Sequence, residues 1–396
     1  MRSVALFILL FCLASFVLFL TYERITLTCR LNRIPLRIAV TGSRGKSTVA
    51  RMLASILSED GKKVLAKTTG SQAMLLLPDG SVLELHRRGN PSILEQTRVV
   101  KVAARHHADC LVAEIMSIHP ENHYIEAQRI LKPNIVAVTN VRLDHTEAMG
   151  DREEDIASVL SLDIPPHSAV FIPEQAPQLP FSQAAGRTWS TLLTVKPGAA
   201  APILEMAPHV AGREFRDNLD LVYSIARHLN VSERIILNGI LKARFDIGKL
   251  KVWRARSGDN HHSYYMVNAF AANDPESTVR VLSKVLELLP AASDKVIGIL
   301  NLRADRLQRT LQWIEILKHG TRSRFSRLYV IGGHCGLVRR RLPDVEILRG
   351  GSAERLTAHI TSGIPDGAVV FGFGNIKGAG MLLASHWSKI GEDYGI

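Results

Sequence analysis

Cysteine is scarce in this chain, and its few thiols form no recognised pattern. Cys12, Cys29, Cys110 and Cys335 lie far apart, and no two of them have the CxxC spacing. The sequence therefore indicates neither a disulfide scaffold nor a cysteine-held zinc cluster. A reducing compartment is the simpler interpretation of so few thiols.

Low-complexity tracts and internal repeats are also missing from the sequence. Of the 396 residues, 46% are hydrophobic, and this composition excludes an intrinsically disordered chain. The length predicts two domains or one large domain with an ample core. The formal charge of +12 leaves three kinds of anionic partner open: nucleic acid, an acidic membrane surface, or an anionic substrate or polymer.

Charged residues are absent between Arg2 and Glu23. The run SVALFILLFCLASFVLFLTY has 20 residues, about the length that spans a bilayer as one helix. A cleaved signal peptide is the alternative, but the apolar run is long and bulky, and no A-x-A site follows it. We expect an uncleaved, single-pass anchor at 1–23 in the cell inner (plasma) membrane. Four arginines follow, opposed only by Glu23, so the positive-inside rule places the rest of the chain in the cytoplasm.

Short apolar runs alternate with helical patterns along the rest of the chain. The runs predict strands at 37–41, 64–67, 110–115, 135–139, 169–172, 264–268, 296–300, 328–331 and 369–371. Helical patterns lie between most of them, at 47–59, 93–107, 217–229, 277–289 and 304–319. This alternation predicts parallel sheets with crossover helices. We interpret the Pro-, Ala- and Gln-rich stretches 173–186 and 197–208 as loops or a poorly packed insertion, and expect a domain boundary near 247–248.

The clearest motif follows the first predicted strand. The sequence TGSRGKST, residues 41–48, joins that strand to an amphipathic helix. Glycines let backbone N–H groups surround phosphate oxygens, and a helix N-terminus adds the positive end of its dipole. In such a loop Lys46 reaches the terminal phosphates, and the Ser47 hydroxyl binds Mg²⁺. The spacing departs from strict GxxxxGK[ST], since position 40 is valine, and a chance glycine turn is the alternative.

Acidic and imidazole groups follow two later strands. Glu114 ends the apolar run DCLVAE, and Asp144 and His145 follow the strand in NIVAVTNVRLDH. Sites in open α/β sheets lie at the carboxyl ends of strands, so Glu114 and His145 are expected to form a metal site beside the phosphates. An ion-paired carboxylate and a structural histidine are the alternatives. Mg²⁺ normally prefers oxygen ligands, which makes a histidine ligand beside a glutamate informative.

These residues carry a family resemblance. TGSRGKST resembles the phosphate loop of the Mur ligase superfamily, and the segments with Glu114 and His145 resemble its two Mg²⁺-holding segments. The likeness is sharper for one branch, the ligase subunit of poly-γ-glutamate synthase. Besides the apolar N-terminal segment, the motifs that resemble this branch are AKTTG (66–70), AEIMSIHPE (113–121), NVRLDHTEAMG (140–150), NAFAANDPEST (268–278), NLRADRLQRT (301–310) and GFGNIKGAG (372–380). The resemblance is weak across 173–212.

The resemblance implies an α/β fold and an ADP-forming amide ligase. A P-loop, Mur-ligase-like central domain is expected at 24–246 and a Rossmann-like C-terminal domain at 247–396, after one transmembrane helix. ATP would phosphorylate the γ-carboxylate of a growing poly-γ-glutamate (capsule) chain, and the amine of glutamate would attack the acyl phosphate. Activation is needed because a free carboxylate has a poor leaving group, while the protein positions reactants and neutralises charge. The expected cofactors are ATP and Mg²⁺.

The resemblance also implies roles for individual residues. Asn218 is expected on the adenine side, and Lys249 stands where the superfamily often has an arginine that touches ATP, without that residue's bidentate fork. Asn273 and Asp274 would begin an ATP- or substrate-facing loop. The loop residues that bind nucleotide are Thr41, Gly42, Ser43, Arg44, Gly45, Lys46, Ser47 and Thr48. The catalytic set is Lys46, His145, Arg303 and Arg306, and the metal ligands are Ser47 or Thr48, Glu114 and His145.

Several of these motifs also have ordinary structural explanations. The sequence Asn-Asp-Pro at 273–275 is a common helix start, Arg306 and Arg309 fit a solvated helix face, and 372–375 fits a strand-to-helix turn. One departure from the superfamily concerns its carbamylated lysine. The comparable stretch DIASVLSLDIPP (155–166) contains no lysine. Either another group bridges a second metal, or one metal suffices.

Two further functions remain open from the sequence. One is a ligase of the same superfamily that adds amino acids to another small acid, as folylpolyglutamate synthases do. The other is a membrane-associated P-loop switch or kinase. The charge favours a polyanionic substrate, because 242–349 holds 20 Lys and Arg against 10 Asp and Glu without a nucleic-acid motif. The expected partners are glutamate, the growing chain, the membrane and other membrane subunits of a synthase, and not nucleic acid.

Overall fold

A computed structural model of the chain describes residues 2–69, 73–85, 87, 91–208, 210, 216–243, 250–256, 262–272, 275–289 and 295–394. The chain forms two compact units, Met1–Arg244 and Phe245–Ile396, here named unit 1 and unit 2. Each unit contains one sheet with helices packed on it.

The first helix of unit 1, α1 (Arg2–Leu31), runs past the predicted end of the anchor at residue 23. The segment Leu6–Leu31 is long and apolar enough to cross a membrane, by length and composition alone. The last turn packs into unit 1, where Leu31 and Ile34 are buried. Arg37, on the next strand, donates hydrogen bonds to the carbonyl oxygens of Leu31 (3.3 Å) and Ile34 (2.6 Å). The helix end is thereby fixed to the sheet.

The sheet of unit 1 has eight strands. They are β1 (Leu36–Thr41), β2 (Val64–Thr68), β3 (Met74–Leu76), β4 (Val82–Glu84), β5 (Cys110–Glu114), β6 (Ile135–Val138), β7 (Ala169–Pro173) and β8 (Thr191–Val195). Their order is β4-β3-β2-β5-β1-β6-β7-β8, with β3 and β4 as an antiparallel edge on a parallel sheet. The central strands are buried along their length, as near-continuous apolar runs predict.

Helices cover this sheet. They are α2 (Lys46–Glu59), α3 (Glu95–Arg105), α4 (Pro120–Tyr124), α5 (Thr146–Met149), α6 (Glu153–Leu160), α7 (Gln178–Thr188), α8 (Ala201–Met206), α9 (Arg216–His228) and α10 (Glu233–Lys242), with a π-helix at Ile125–Leu131 and a 3₁₀ turn at Ser161–Asp163.

The interpretation of 173–186 and 197–208 as loops is wrong. Helices α7 and α8 lie in these stretches, and β8 lies between them. Phe181, Ala184 and Ala185 form a buried face on α7, at the spacing of an amphipathic helix. Gln and Ala are good helix formers, and here this local preference outweighs Pro180, which lies near the start of α7.

The sheet of unit 2 has seven strands. They are β9 (Lys251–Arg256), β10 (Ser263–Asn268), β11 (Val296–Leu302), β12 (Arg327–Gly332), β13 (Glu346–Ile347), β14 (Val369–Phe373) and β15 (Glu392–Asp393). Their order is β13-β12-β11-β14-β10-β9-β15, and β9 alone runs antiparallel to its neighbours β10 and β15. Tyr265 and Val267 belong to one hydrophobic core, and Tyr264 and Met266 to the other. Because successive side chains point to opposite faces of a strand, both faces of this sheet are covered.

The helices of unit 2 are α11 (Pro275–Leu288), α12 (Leu307–Lys318), α13 (Cys335–Arg341), α14 (Ala353–Thr361) and α15 (Ala379–Ile390), with a 3₁₀ turn at Thr321–Arg324. All nine predicted strands are present, with ends within two residues of the prediction. The sheets are mixed rather than wholly parallel, because β3 and β9, which no predicted strand covers, each pair antiparallel with a neighbour.

Candidate active site

Three neighbouring strands bring the predicted groups of unit 1 to one edge of its sheet. β1 lies between β5 and β6, and all three are parallel. Their carboxyl ends lead to the phosphate loop, to Glu114 and to the segment 139–145. The strand order therefore places motifs that are far apart in sequence side by side.

Two glycines give the phosphate loop its shape. Gly42 and Gly45 have φ values of +119° and +86°, a region that side chains with a Cβ rarely adopt. A Cβ on Gly42 would lie 2.3 Å from Thr139 Oγ1, and one on Gly45 would lie 2.7 Å from Asn218 Oδ1. The loop is packed closely on both sides, and α2 begins directly after it.

The segment that follows β6 holds the loop through hydrogen bonds that sequence reasoning missed. Asn140 Oδ1 accepts from Arg44 N (3.1 Å), and Asn140 Nδ2 donates to Arg44 O (2.9 Å). Ser43 N donates to Asn140 O (3.0 Å), and Ser43 Oγ donates to Arg142 O (2.7 Å). Asn140 opens the NVRLDH motif, and that position is the signal that could have identified it.

Lys46 is the first residue of α2, and its ammonium group turns back over the loop. Nζ donates to Gly42 O (2.6 Å) and to Ser43 O (3.4 Å). Burial lowers the pKa of Lys46, and the negative charges of Glu114 and Asp144 oppose this shift. Charged acceptors bind an ammonium group more strongly than neutral carbonyls do, so a phosphate is the better partner at this place.

Ser47 and Glu114 are in direct contact, as the sequence predicts for two ligands of one cation. Ser47 Oγ donates to Glu114 Oε2 (2.7 Å), and Thr69 N donates to the same oxygen (2.6 Å). Glu114 is 4% exposed at the end of β5. The two donors fix the orientation of the carboxylate, and hydroxyl and carboxylate oxygens are the ligands that Mg²⁺ prefers. Thr48 lies half-buried in the same turn.

Asp144 and His145 lie at the start of α5. His145 has a φ of +49°, an uncommon conformation for a residue with a Cβ. Its backbone N donates to Asp144 Oδ1 (3.2 Å), and its Nδ1 lies 3.5 Å from Glu147 Oε1. Asp144 Oδ2 lies 3.5 Å from Arg44 Nη2. The structure therefore joins this pair to the phosphate loop through Asp144 and Arg44.

Asn218 and Thr41 complete the described part of the predicted nucleotide set. Asn218, on α9, is 4% exposed and packs its side-chain amide against Gly45. Thr41 is 1% exposed, and its Oγ1 has no hydrogen-bond partner among the described residues. Predicted Lys249, Asn273 and Asp274 lie outside the described residues.

The predicted arginines of unit 2 follow strand β11. Arg303 binds Asp305 with two hydrogen bonds, from Nε to Oδ1 (2.8 Å) and from Nη2 to Oδ2 (2.5 Å). Arg306 directly precedes α12, as its N-cap residue. Arg303 and Arg306 thus lie at the carboxyl edge of the sheet of unit 2, where ligands bind in this class of fold.

Asn301 joins two motifs of unit 2 and received no role from sequence reasoning. Its Nδ2 donates to the carbonyl oxygens of Asn375 (2.6 Å) and Lys377 (2.8 Å). Asn301 is 2% exposed. These bonds bring NLRADRLQRT and GFGNIKGAG together at one edge of the sheet.

The described residues of unit 1 fit a nucleoside triphosphate and a divalent cation. The loop admits no Cβ at Gly42 or Gly45, so backbone N–H groups can approach phosphate oxygens closely. Ser47 and Glu114 offer oxygen ligands. No cluster of three His, Cys, Asp or Glu side chains that could hold a metal occurs in the described part of the chain. Mg²⁺ commonly takes one or two protein ligands together with substrate phosphates, so this arrangement suits it.

Two known families match the chain. Residues 40–222 match the Mur ligase middle domain, and residues 254–390 match the poly-gamma-glutamate synthase CapB C-terminal domain. The first match contains the phosphate loop, Glu114, His145 and Asn218. The second contains Arg303 and Arg306.

Curated relatives align over most of the chain. The capsule biosynthesis protein CapB of Bacillus anthracis is 29% identical over 312 residues, which are 78% of this chain and 66% of that protein. The PGA synthase CapB of Bacillus subtilis (strain 168) is 30% identical over 287 residues, which are 72% of this chain and 71% of that protein. The chain therefore spans about two thirds of the length of these relatives.

Solved structures share the fold at low sequence identity. E. coli FolC in complex with ADP has a TM-score of 0.67 at 15% identity, covering 95% of this chain and 98% of that one. A bifunctional folylpolyglutamate synthase/dihydrofolate synthase from Yersinia pestis, complexed with AMPPNP and Mn, has a TM-score of 0.65 at 14% identity, covering 92% and 93%. The predicted α/β fold is confirmed. The Bacillus subtilis relative and the two family matches show that this chain belongs to the CapB-type branch of the Mur ligase superfamily, a family of ATP-dependent ligases that form amide bonds.

Proposed function

We propose that this chain is the ligase of poly-γ-glutamate synthesis. Its relatives are named for capsule biosynthesis and PGA synthesis, and its C-terminal region matches the poly-gamma-glutamate synthase domain. The observation that carries the proposal is the contact of Ser47 with Glu114 (2.7 Å) beside the phosphate loop. This contact supplies oxygen ligands for a cation next to bound phosphates, as a carboxylate-activating ligase requires.

The proposed reaction joins the γ-carboxylate of a growing chain to the amine of glutamate. A carboxylate resists attack because oxide is a poor leaving group. Transfer of the γ-phosphoryl group of ATP to a carboxylate oxygen breaks the bond to the β–γ bridging oxygen and releases ADP. The amine then attacks the acyl carbon, loses a proton, and displaces inorganic phosphate. Each cycle makes one amide bond and consumes one ATP.

In this proposal the residues of unit 1 bind and neutralise the phosphates. The loop backbone surrounds the phosphate oxygens, and Lys46 moves from the loop carbonyls to the terminal phosphates. Ser47, Glu114 and His145 hold Mg²⁺, which when bound supplies positive charge to the phosphate oxygens. Asn218 contacts the nucleotide on its adenine side.

Unit 2 takes the anionic substrate in this proposal. Arg303 and Arg306 are its proposed catalytic residues, which would bind anionic groups of the substrates. Lys249, Asn273 and Asp274 are proposed as further nucleotide-binding residues. The two domains are proposed at 24–246 and 247–396. The positive charge of 242–349, with 20 Lys and Arg against 10 Asp and Glu, concentrates a polycarboxylate near the site.

The helix α1 is proposed to anchor the chain in the plasma membrane, with the catalytic part in the cytoplasm. Its apolar side chains from Leu6 to Leu20 lie exposed on every side of the helix, which suits lipid or other membrane helices. One span is too little to build an export path, so other membrane subunits are expected partners.

Product analysis tests the proposed function. Membranes with the full chain and its neighbouring membrane subunits should form ADP from ATP only when glutamate is present, and should accumulate γ-linked polyglutamate. Lys46→Ala should form neither product. ADP formation that is independent of any amino acid would instead indicate a P-loop switch, and glutamate addition to a folate acceptor alone would indicate the folylpolyglutamate-type ligase.

A further inference from the structure

A buried carboxylate lies directly behind the strand end that carries Glu114. Glu126 is 0% exposed and belongs to the seven-residue π-helix Ile125–Leu131. π-helices are rare and are frequent at functional sites. A carboxylate in the interior is also unfavourable unless hydrogen bonds and opposite charge compensate it. Both features call for a physical reason at this position.

The backbone beyond Glu114 ends on the Glu126 carboxylate. The ladder of strand β5 closes with Ile115 N, which donates to Val40 O (2.9 Å). The next two N–H groups have left the ladder and donate to Glu126: Met116 N to Oε1 (3.2 Å) and Ser117 N to Oε2 (3.1 Å). Ser117 Oγ also donates to Oε2 (2.5 Å). Glu126 thus fixes two consecutive peptide groups where the sheet no longer does.

Gln96, on α3, links Glu126 to Glu114 itself. Its Nε2 donates to Glu126 Oε1 (2.5 Å) and to the carbonyl oxygen of Glu114 (3.1 Å). Gln96 is 0% exposed. The backbone of Glu114 is therefore held at its own carbonyl group and again just beyond it, while its side chain faces Ser47.

Two cations compensate the carboxylates of this cluster, and one of them, Lys67, is buried. Lys67, on β2, is 0% exposed, and its Nζ lies 3.8 Å from Glu95 Oε2. Burial lowers the pKa of Lys67, and the charges of Glu126 and Glu95 oppose that shift. Arg87 donates to both oxygens of Glu95 (2.7 and 2.9 Å). Removal of one member of such a buried set leaves another charge uncompensated, so the cluster resists rearrangement.

We propose that Glu126 is a positioning residue of the ligase reaction: it fixes the backbone on the far side of Glu114 and so sets the direction in which that carboxylate points. Gln96 acts in the same way through its hydrogen bond to the carbonyl oxygen of Glu114. This inference rests on the proposed function, because it takes Glu114 as a ligand of the divalent cation. Outer partners of this kind commonly determine metal affinity without touching the metal.

Binding of Mn²⁺ to the full chain tests the proposal without turnover. EPR distinguishes free from protein-bound Mn²⁺ in the presence of AMPPNP equimolar to the protein, with a titration of AMPPNP alone subtracted. Glu126→Ala should weaken Mn²⁺ binding by about 10- to 100-fold, the usual effect of removing a partner behind a metal ligand. Glu126→Gln keeps the size and one acceptor oxygen, so it should lose less.

Two further variants keep the proposal falsifiable if Glu126→Ala fails to fold. Gln96→Leu removes the hydrogen bonds to the Glu114 carbonyl and to Glu126 but keeps the Glu126 carboxylate, and it should weaken Mn²⁺ binding by about tenfold. Asp220→Ala is the matched control, because Asp220 is 5% exposed and accepts from Gly198 N (2.9 Å) and Ala200 N (2.8 Å) in a different loop. It should lower thermal stability and leave Mn²⁺ affinity unchanged.

The outcomes separate this proposal from the proposed function. Folded Glu126→Gln and Gln96→Leu proteins with the Mn²⁺ affinity of the wild type would show a merely structural role and overturn the proposal. If Glu114→Gln weakens Mn²⁺ binding while those two variants do not, only the positioning role fails. If Glu114→Gln binds Mn²⁺ as the wild type does, the cation site of the proposed function is itself wrong.

Discussion

The two units bury different kinds of polar side chain. The described buried residues of unit 1 include eight ionisable ones: Arg51, Lys67, Glu95, Glu114, His123, Glu126, Asp163 and Asp220. Those described in unit 2 are all neutral: Asn268, Thr278, Asn301, Thr310, Thr357 and Asn375. Both units are built on a largely parallel sheet, so the fold itself does not require buried charge.

The difference follows from what each edge has to hold. A phosphate loop and a cation need charged partners, and their orientation needs further charges behind them, as Glu126 and Lys67 lie behind Glu114. At the edge of unit 2 the side-chain amide of Asn301 donates hydrogen bonds to two carbonyl groups. Burial of this neutral amide costs less desolvation free energy than burial of a charged group does. Substitutions should therefore change chemistry and pH dependence in unit 1, and stability alone at Asn301.

The largest effect is expected for Lys46→Ala. Loss of the ammonium group removes a donor to the charge that develops on the transferred phosphoryl group, and one such donor contributes about 10²- to 10³-fold in rate. Glutamate-dependent ADP formation should fall by at least that factor. Lys62→Ala is the control, because Lys62 lies beyond the other end of α2 and pairs with Asp60. An equal loss in both variants would contradict the assignment of Lys46 to the site.

A smaller effect is expected for Gly45→Ala. Its Cβ would lie 2.7 Å from Asn218 Oδ1, at a φ of +86°. Gly61→Ala is a matched control, because its φ is +83° but its Cβ would meet no atom within 4 Å. Both variants carry the backbone strain, of about 1–3 kcal/mol, while Gly45→Ala alone also displaces Asn218. AMPPNP binding should weaken at least about tenfold in Gly45→Ala only, and equal affinities would show that Asn218 and the loop are independent.

In unit 2 the matching test is Asn301→Ala. The substitution removes two hydrogen bonds, one of them buried, so the free energy of unfolding should fall by about 1–3 kcal/mol. Gln308→Ala, at an exposed position on α12, should change it by less than about 0.5 kcal/mol. Thermal or urea unfolding measures both. A neutral Asn301→Ala would show that the two motifs are held together by other contacts.

The fold was largely predictable because buried parallel strands are long apolar runs. Glu114 and the other strand-end groups could be placed for the same reason, since parallel strands end at one edge. The interpretation of 173–186 and 197–208 is wrong because prolines and polar residues interrupt the apolar spacing, as around Phe181 on α7. Strands such as Glu346–Ile347, with two residues, are too short to show an apolar pattern in the sequence.

The groups behind the site could not be predicted from residue patterns. Asn140, Gln96 and Glu126 act through contacts across 9 to 96 residues of sequence, and each residue type is most often found on the surface. The π-helix around Glu126 has the apolar spacing of an ordinary helix. Only the three-dimensional contacts show that these side chains are partners of Glu114 and the phosphate loop.

The smallest predicted effect concerns His123 and Asp163, a buried pair of unit 1. His123 Nδ1 lies 3.0 Å from both Asp163 oxygens, and the side chains are 2% and 0% exposed. Burial acts to lower the pKa of His123, but the Asp163 carboxylate outweighs it, with help from Glu126 and against Lys46, so the pKa is raised. The stabilisation is then complete below the unfolded pKa of about 6.5 and is lost as pH rises through the folded pKa.

Asp163→Asn should reverse this pH dependence. Without the carboxylate, burial is the larger influence, so the pKa of His123 should fall below its unfolded value and stability should rise with pH over that lower window. Each slope is at most about 1.4 kcal/mol per pH unit, since one proton is involved. Urea unfolding of the wild type, Asp163→Asn and His123→Gln between about pH 5 and 8.5, with NMR titration of the ring, measures it. An unchanged slope in Asp163→Asn would show that the pH dependence of unit 1 comes from other groups. It would also weaken the contrast with unit 2, whose described buried Asn and Thr side chains do not titrate.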